Sequence, residues 1–215
     1  RLWGITEGGN LYQIDTSNGN MSFVGKTGLK GISLEGLNDT TLLAEFDKKL
    51  FGIRIANASS YLIDSIGYSA SGDLTWYDNA IYLMEATGKL IKIVLKNTNT
   101  GVLSVTAVNK YKIGIPACYG AANVAFYGQH NSIVGFSGFK IYEICQIDGI
   151  YDLLCQSISK LFFYGAASIR LPVQEPEPTS CEKKVSIGDF EYEKSNFNIV
   201  PNPVSKSGLF QIKLS

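Results

Sequence analysis

The 215-residue chain carries nineteen basic and nineteen acidic residues, so its formal net charge is zero. With 45% hydrophobic, 12% aromatic and 18% charged residues, it has enough apolar surface to offset the entropy of ordering, which excludes a disordered chain. No basic run is dense enough for a nucleic-acid footprint, and no apolar stretch approaches the roughly 20 residues of a membrane helix, so neither nucleic acid nor a transmembrane segment is expected.

Apolar residues recur with a period of two, and no segment carries the 3.6-residue stripe of a long amphipathic helix, so the chain reads as all-β. In chain order, one class of strand recurs as Leu2-Trp3-Gly4-Ile5, Leu50-Phe51-Gly52-Ile53, Ile81-Tyr82-Leu83-Met84 and Ile133-Val134-Gly135-Phe136. Each is followed by a second class: Leu11-Tyr12-Gln13-Ile14, Ser60-Tyr61-Leu62-Ile63, Leu90-Ile91-Lys92-Ile93 and Ile141-Tyr142-Glu143-Ile144. The offset between their last residues is 9, 10, 9 and 8, with Gly, Asn or Ser between them, which predicts a tight hairpin repeated four times. A further strand is expected after each hairpin, at 21–25, 64–67, 102–108 and 151–157. One is expected ahead of the last three, at Leu43–Asp47, Leu74–Asp78 and Val124–Gly128.

The first repeat lacks that leading strand, and the chain supplies one unmatched strand later, at Tyr164–Ile169. Four-stranded meanders that start one strand late and finish one strand over predict a closed ring without free sheet edges. The expected fold over residues 1–171 is a small four-bladed β-propeller closed by a C-terminal strand, with repeats averaging about 40 residues.

From Leu171 the texture changes, with Pro172, Pro176 and Pro178 marking an extended linker assigned to 172–195. Residues 196–215 contain Pro201-Asn202-Pro203-Val204, a short polar gap, Gly208, and then alternating Phe210, Ile212 and Leu214. This string resembles the opening of the type A C-terminal sorting domain of the Bacteroidetes type 9 secretion system. The resemblance implies a truncated β-sandwich sorting tail read by outer-membrane secretion machinery, and an extracellular or cell-surface destination. Leu11-Tyr12-Gln13-Ile14-Asp15, Trp76-Tyr77-Asp78-Asn79 and Tyr164-Gly165-Ala166-Ala167-Ser168 resemble, more loosely, propeller-like regions of large surface proteins of the same bacteria.

Little in the sequence asks for catalysis. His130 is the single histidine and reads as a turn residue; no G-x-S-x-G elbow accompanies it, and no cofactor or metal site is expected. Asp15–Asn20 lacks the closing acid of a calcium loop and reads as a hairpin turn. Glu45, Asp47, Asp73, Asp78 and Glu85 are the acids from which a pair of carboxylates for a polysaccharide hydrolase or lyase would come, although no acid spacing repeats across the blades. Most strand aromatics, Trp3, Phe126 and Tyr127 among them, are expected in the core, whereas Trp76, Tyr77 and Asp78 are the expected binding platform for a glycan or surface protein. Cys118, Cys145, Cys155 and Cys181 allow three complete pairings; a Cys145–Cys155 cross-strand bond would leave Cys118 with Cys181. The function expected from these readings is an exported binding or adhesion module, with the hydrolase as its alternative.

Overall fold

A computed structural model describes residues 2–30, 33–85, 87–97, 103–113, 115, 119–126, 130–138, 140–144 and 151–156. Fifteen strands and no helix occur among them. The first sheet holds β1 (Leu2–Ile5), β2 (Asn10–Ile14) and β3 (Met21–Lys26) in that order. The second holds β4 (Glu35–Asn38), β5 (Thr41–Phe46), β6 (Lys49–Arg54) and β7 (Ser60–Ser65). The third holds β8 (Leu74–Tyr77), β9 (Ala80–Glu85), β10 (Lys89–Asn97) and β11 (Leu103–Lys112), and the fourth β12 (Gly120–Phe126), β13 (His130–Ser137), β14 (Lys140–Ile144) and β15 (Tyr151–Gln156).

Every neighbouring pair is antiparallel and consecutive, so each sheet is a meander. The sheets stack in chain order, with first strands meeting first strands (β4 with β8, β8 with β12) and fourth strand β7 meeting fourth strand β11.

Alternation along the second strands explains the stacking. Leu42 and Ala44 of β5 face the first sheet in a cluster with Leu11, whereas Leu43 faces the third sheet in a cluster with Ile81 and Leu83. On β9, Ile81 and Leu83 point back while Ala80, Tyr82 and Met84 point forward to Ala121, Ile133 and Ile144 of the fourth sheet. Because successive side chains leave a strand on opposite faces, a strand between two neighbouring sheets is buried at every position. Five consecutive residues of both β5 and β9 are accordingly buried. Exposure rises towards the outer strands: Met21 and Phe23 on β3 are 67% and 57% exposed, and Leu62 on β7 is 56% exposed.

The second sheet differs from the sequence expectation by one strand. Leu43–Asp47 belongs to the second strand and not the first, Leu50–Ile53 to the third, and Ser60–Ile63 to the fourth; Asp64–Gly67 is the end of β7 and the turn beyond it. The true first strand, Glu35-Gly36-Leu37-Asn38, offers one aliphatic residue and no alternation to detect. Two look-alike turns compounded the shift. Asp47-Lys48 joins β5 to β6 and Asp78-Asn79 joins β8 to β9, both with positive φ at both residues, the two-residue hairpin geometry that favours Asn and Asp. One lies between second and third strands and the other between first and second.

Leu83 is fully buried between the second and third sheets, so Leu83→Ala is expected to lower unfolding free energy by about 2–5 kcal/mol. Leu62→Ala on the outer strand should change it by less than about 0.5 kcal/mol. Urea unfolding followed by tryptophan fluorescence distinguishes the two; equal losses would contradict the inner-to-outer gradient.

Candidate functional site

The turns between second and third strands and the connectors between sheets lie together at one end of the stack, tied by a repeated backbone bond. The residue before the strand next to the outermost one (β2, β6 and β10) has positive φ in three sheets: Gly9 at 77°, Lys48 at 62° and Gly88 at 77°. Its carbonyl accepts from an amide just past the fourth strand, or past β3 in the first sheet: Thr27 N at 2.8 Å, Ile66 N at 2.9 Å and Ile113 N at 3.2 Å. The Thr27 hydroxyl adds a second bond to the Gly9 carbonyl at 3.0 Å. A Cβ on Gly88 would stand 2.8 Å from the Ile115 carbonyl oxygen, so both φ and space call for glycine there. Thr27, Ile66 and Ile113 are all buried, so the connectors plug the end of the core while they supply these donors.

Glu45, near the end of β5, extends this arrangement with a side chain. It is 3% exposed; Oε1 accepts from Lys48 N at 2.8 Å and Oε2 from Ala70 N at 3.0 Å. Its own backbone is held by Ser33, whose hydroxyl oxygen accepts from Glu45 N at 2.8 Å. One carboxylate thus joins its own turn to the connector between the second and third sheets. Burial pushes its carboxyl above the usual glutamate range, the two amides pull the other way, and Asp47 adds a smaller upward push.

Glu85, at the end of β9, is spent differently. Its Oε2 accepts from Lys89 Nζ at 2.6 Å and from the Thr87 hydroxyl at 2.5 Å. The Lys89 and Thr87 hydrogen bonds hold its carboxyl below the usual range against a small opposing effect of burial, with smaller help from the charges of Lys89 and Lys48.

The remaining acids scatter. Asp47 lies in the exposed turn with Lys49 Nζ 3.7 Å away. Asp73 is half-buried just before β8, and Asp78 is in the β8–β9 turn at the opposite end of the strands from Glu45. Asp15 closes its own turn, Oδ1 accepting from Ser17 N at 2.9 Å and the Ser17 hydroxyl at 2.7 Å. Among the described residues no three of His, Cys, Asp and Glu are grouped as metal ligands.

Trp76 and Tyr77, expected on one platform, leave β8 on opposite faces. Trp76 packs into the cluster shared with the second sheet; Tyr77 packs into the one shared with the fourth, meeting Tyr82 edge-on at 6.1 Å between ring centres. The Trp76 carbonyl accepts from Asn123 Nδ2 at 3.0 Å, joining the first strands of two sheets. Cys155 stands on β15 with Ile141 as its cross-strand partner. Cys118, Cys145 and Cys181, and with them the expected disulfides, lie outside the described residues, as do Tyr127, the linker, the Tyr164–Ile169 strand and the sorting string Pro201 to Gly208. His130 opens β13 opposite Phe126.

The Ser33 and Ala70 partners of Glu45 escaped sequence reasoning, although a signal for the connectors exists. Thr27-Gly28-Leu29, Ile66-Gly67-Tyr68 and Ile113-Gly114-Ile115 repeat a glycine between two core-filling positions at spacings of 39 and 47 residues. Gly28 and Gly67 both have φ of 75°.

No protein-family model and no curated protein matches this chain. Solved structures do, and they are β-propeller-type repeat proteins. A chain of the nidogen/laminin complex superposes with a TM-score of 0.53 at 11% identity, over 73% of this chain and 61% of that one. Streptogramin B lyase gives 0.46 at 14% identity over 77% and 57%, and BamB from Moraxella catarrhalis 0.41 at 8% over 69% and 43%. This chain therefore spans between 43% and 61% of the length of these structures. The class of protein that the sheets and the nidogen/laminin likeness define is an all-β, propeller-type repeat protein.

Removing the Glu45 carboxylate leaves the Lys48 and Ala70 amides without their acceptor, so Glu45→Ala should cost about 1–3 kcal/mol for the buried Ala70 amide and less for the part-buried Lys48 amide. The pH dependence has a definite sign. The folded chain holds the Glu45 proton more tightly than the unfolded chain, so this contribution is complete below the ordinary glutamate range and is lost as pH rises through the raised folded value. Thermal melts between about pH 4 and pH 7 should show the native chain losing stability relative to Glu45→Gln as pH rises. A relative gain would reverse the assignment.

Proposed function

We propose that the chain is the ligand-binding, non-catalytic part of an exported surface protein. In this reading, residues 1–171 form a small four-bladed propeller closed by Tyr164–Ile169, residues 172–195 are a spacer, and 196–215 begin a sorting tail that addresses the protein to the type 9 secretion machinery. One observation carries the choice of binding over catalysis. The two best-placed acids are consumed in holding the fold: Glu45 by two backbone amides, Glu85 by Lys89 and Thr87. A glycoside hydrolase needs two carboxyl groups roughly 5–9.5 Å apart that flank a substrate, one free to donate a proton and one to attack or to activate water.

The ligand class is a glycan or a surface protein, met at the end of the stack that bears the Asp78-Asn79 turn. Asn79 is exposed there and Asp78 partly so. The secretory destination rests on the Pro201-Asn202-Pro203-Val204 and Gly208 string.

Asp78→Asn keeps a residue that tolerates positive φ and removes only the charge. On a glycan array, and against surface-protein extracts by biolayer interferometry, it should weaken binding about tenfold with an unchanged melting temperature, the equivalent of about 1.4 kcal/mol. Turnover of any polysaccharide that is lost in Glu45→Ala, Asp47→Ala or Asp78→Ala at unchanged fold would instead favour the hydrolase. In a host that carries the secretion system, alanine at Pro201, Asn202 and Gly208 should retain the protein inside the cell; undiminished export would remove the sorting assignment.

A further inference from the structure

Asn18-Gly19 is the single Asn-Gly dipeptide in the chain, and it lies in the turn that joins β2 to β3. Asparagine in that place carries a chemistry of its own. The next amide nitrogen can attack the side-chain carbonyl carbon, and glycine has no Cβ to obstruct the ring closure. Asp15 to Asn20 are all exposed, and a Cβ on Gly19 would meet nothing within 4 Å, so water and space are both at hand.

The two nitrogens that would exchange places on the Asn18 side-chain carbon are nevertheless engaged, and by the same residue. Gly19 N, the attacking group, donates to the Asp15 carbonyl at 2.7 Å. Asn18 Nδ2, the leaving group, donates to Asp15 Oδ2 at 2.8 Å. Asn18 Oδ1 accepts from Asn20 N at 2.8 Å, which fixes the plane of the side-chain amide. Asp15 is itself held, with Oδ1 accepting from Ser17 N at 2.9 Å and the Ser17 hydroxyl at 2.7 Å, and with its own amide donating to the Asn20 carbonyl at 2.9 Å. The Ser17 hydrogen bonds, with a smaller part from Asn18, keep the Asp15 carboxyl below the usual aspartate range, so it remains an acceptor at neutral pH.

We propose that Asn18 is a self-acting deamidation site that Asp15 holds closed, and that its conversion opens the β2–β3 turn. Gly19 N bonds to the Asn18 side-chain carbon, the bond from that carbon to Nδ2 breaks, and the Gly19 proton departs with Nδ2 as ammonia. Water then adds to either carbonyl of the cyclic imide and opens it to aspartate or isoaspartate, with no oxidant or reductant required. Aspartate sets a second carboxylate where Nδ2 donated to Oδ2, and like charges at that separation repel. Isoaspartate inserts a methylene into the backbone of the turn. Ammonia is lost to solvent, so the change runs one way. It loosens β3, the outermost strand of the first sheet, on which Met21 and Phe23 are already exposed.

Peptide mass spectrometry of the full chain held at neutral pH reads the conversion of amide to acid at position 18, with isoaspartate distinguished by its fragmentation. Asn18 in the chain should convert at least about tenfold more slowly than in a free peptide of residues 11–24, because local opening must precede reaction. In the full chain, Asp15→Ala should raise the rate at least about tenfold. Ser17→Ala removes a hydroxyl that donates to Oδ1 and not to the oxygen holding Asn18, so it should change the rate by less than about twofold. Equal rates in chain and peptide would overturn the protection, and equal acceleration by both variants would overturn the assignment to Asp15. The comparison of chain with peptide uses no variant and decides the matter even where Asp15→Ala fails to fold. In Asn18→Asp the Asp15 and Gly19 amides should exchange hydrogen at least about tenfold faster than in the unsubstituted chain. Unchanged exchange there would sink the opening of the turn.

Discussion

The bond between the carbonyl of a left-handed residue and the amide just past the outer strand governs how these sheets stack. A chain that leaves the outer strand of one sheet must cross to the first strand of the next, and its peptide groups pass the end of the core where water is excluded. Gly9, Lys48 and Gly88 meet that demand in the same way, by turning a carbonyl into the path of Thr27, Ile66 and Ile113. Where the turn is two residues long, at Asp47-Lys48, the side chain of Glu45 supplies additional acceptors. The position that attracts attention as an isolated acid is thus the side-chain form of a bond that the backbone makes elsewhere.

That geometry depends on sheets whose middle strands are buried on both faces. Thr41–Phe46 and Ala80–Glu85 are sandwiched, and their alternate residues divide between a preceding and a following sheet. The consequence is a strict register: a slip by one residue in β9 would send Tyr82 and Met84 towards the second sheet and Ile81 and Leu83 towards the fourth. Specificity of stacking comes from side-chain size at those alternating places, since the chain has little charge available for it.

Much of this was legible in the sequence, and the parts that were not share a cause. Hairpins such as Ile81–Met84 with Leu90–Ile93 are visible because alternation and turn residues occur together. Glu35–Asn38 is invisible because its four residues offer one aliphatic side chain and no alternation, and Asp47-Lys48 resembles Asp78-Asn79 because turn chemistry records backbone angles and not the place of a hairpin in its sheet. Trp76 and Tyr77 are adjacent in sequence and therefore on opposite faces of the strand, so a shared platform would have required them two residues apart. The role of Glu45 could not be read because its partners are the amides of Lys48 and Ala70, and a backbone amide leaves no mark on residue identity.

The same reasoning bears on what the ends of the stack are free to do. At the end that carries the connectors, backbone bonds and the Glu45 carboxylate tie a sheet to the connector that leaves it, Glu85 is committed to its own hairpin, and the buried connector residues leave that end little latitude for change. The opposite end carries the turns that lead into the outermost strands and, in the four-stranded sheets, those between first and second strands. There Asn38 accepts from Thr40, Asn57 from Ser59 and Asp15 from Ser17, each bond closing a turn upon itself. Turns that satisfy their own polar groups leave their exposed residues free to vary, although the turn at Asn57 also packs on the first sheet through the buried Ala58. That end is the adaptable surface of the stack, and the exposed Asn79 with the partly exposed Asp78 belongs to it.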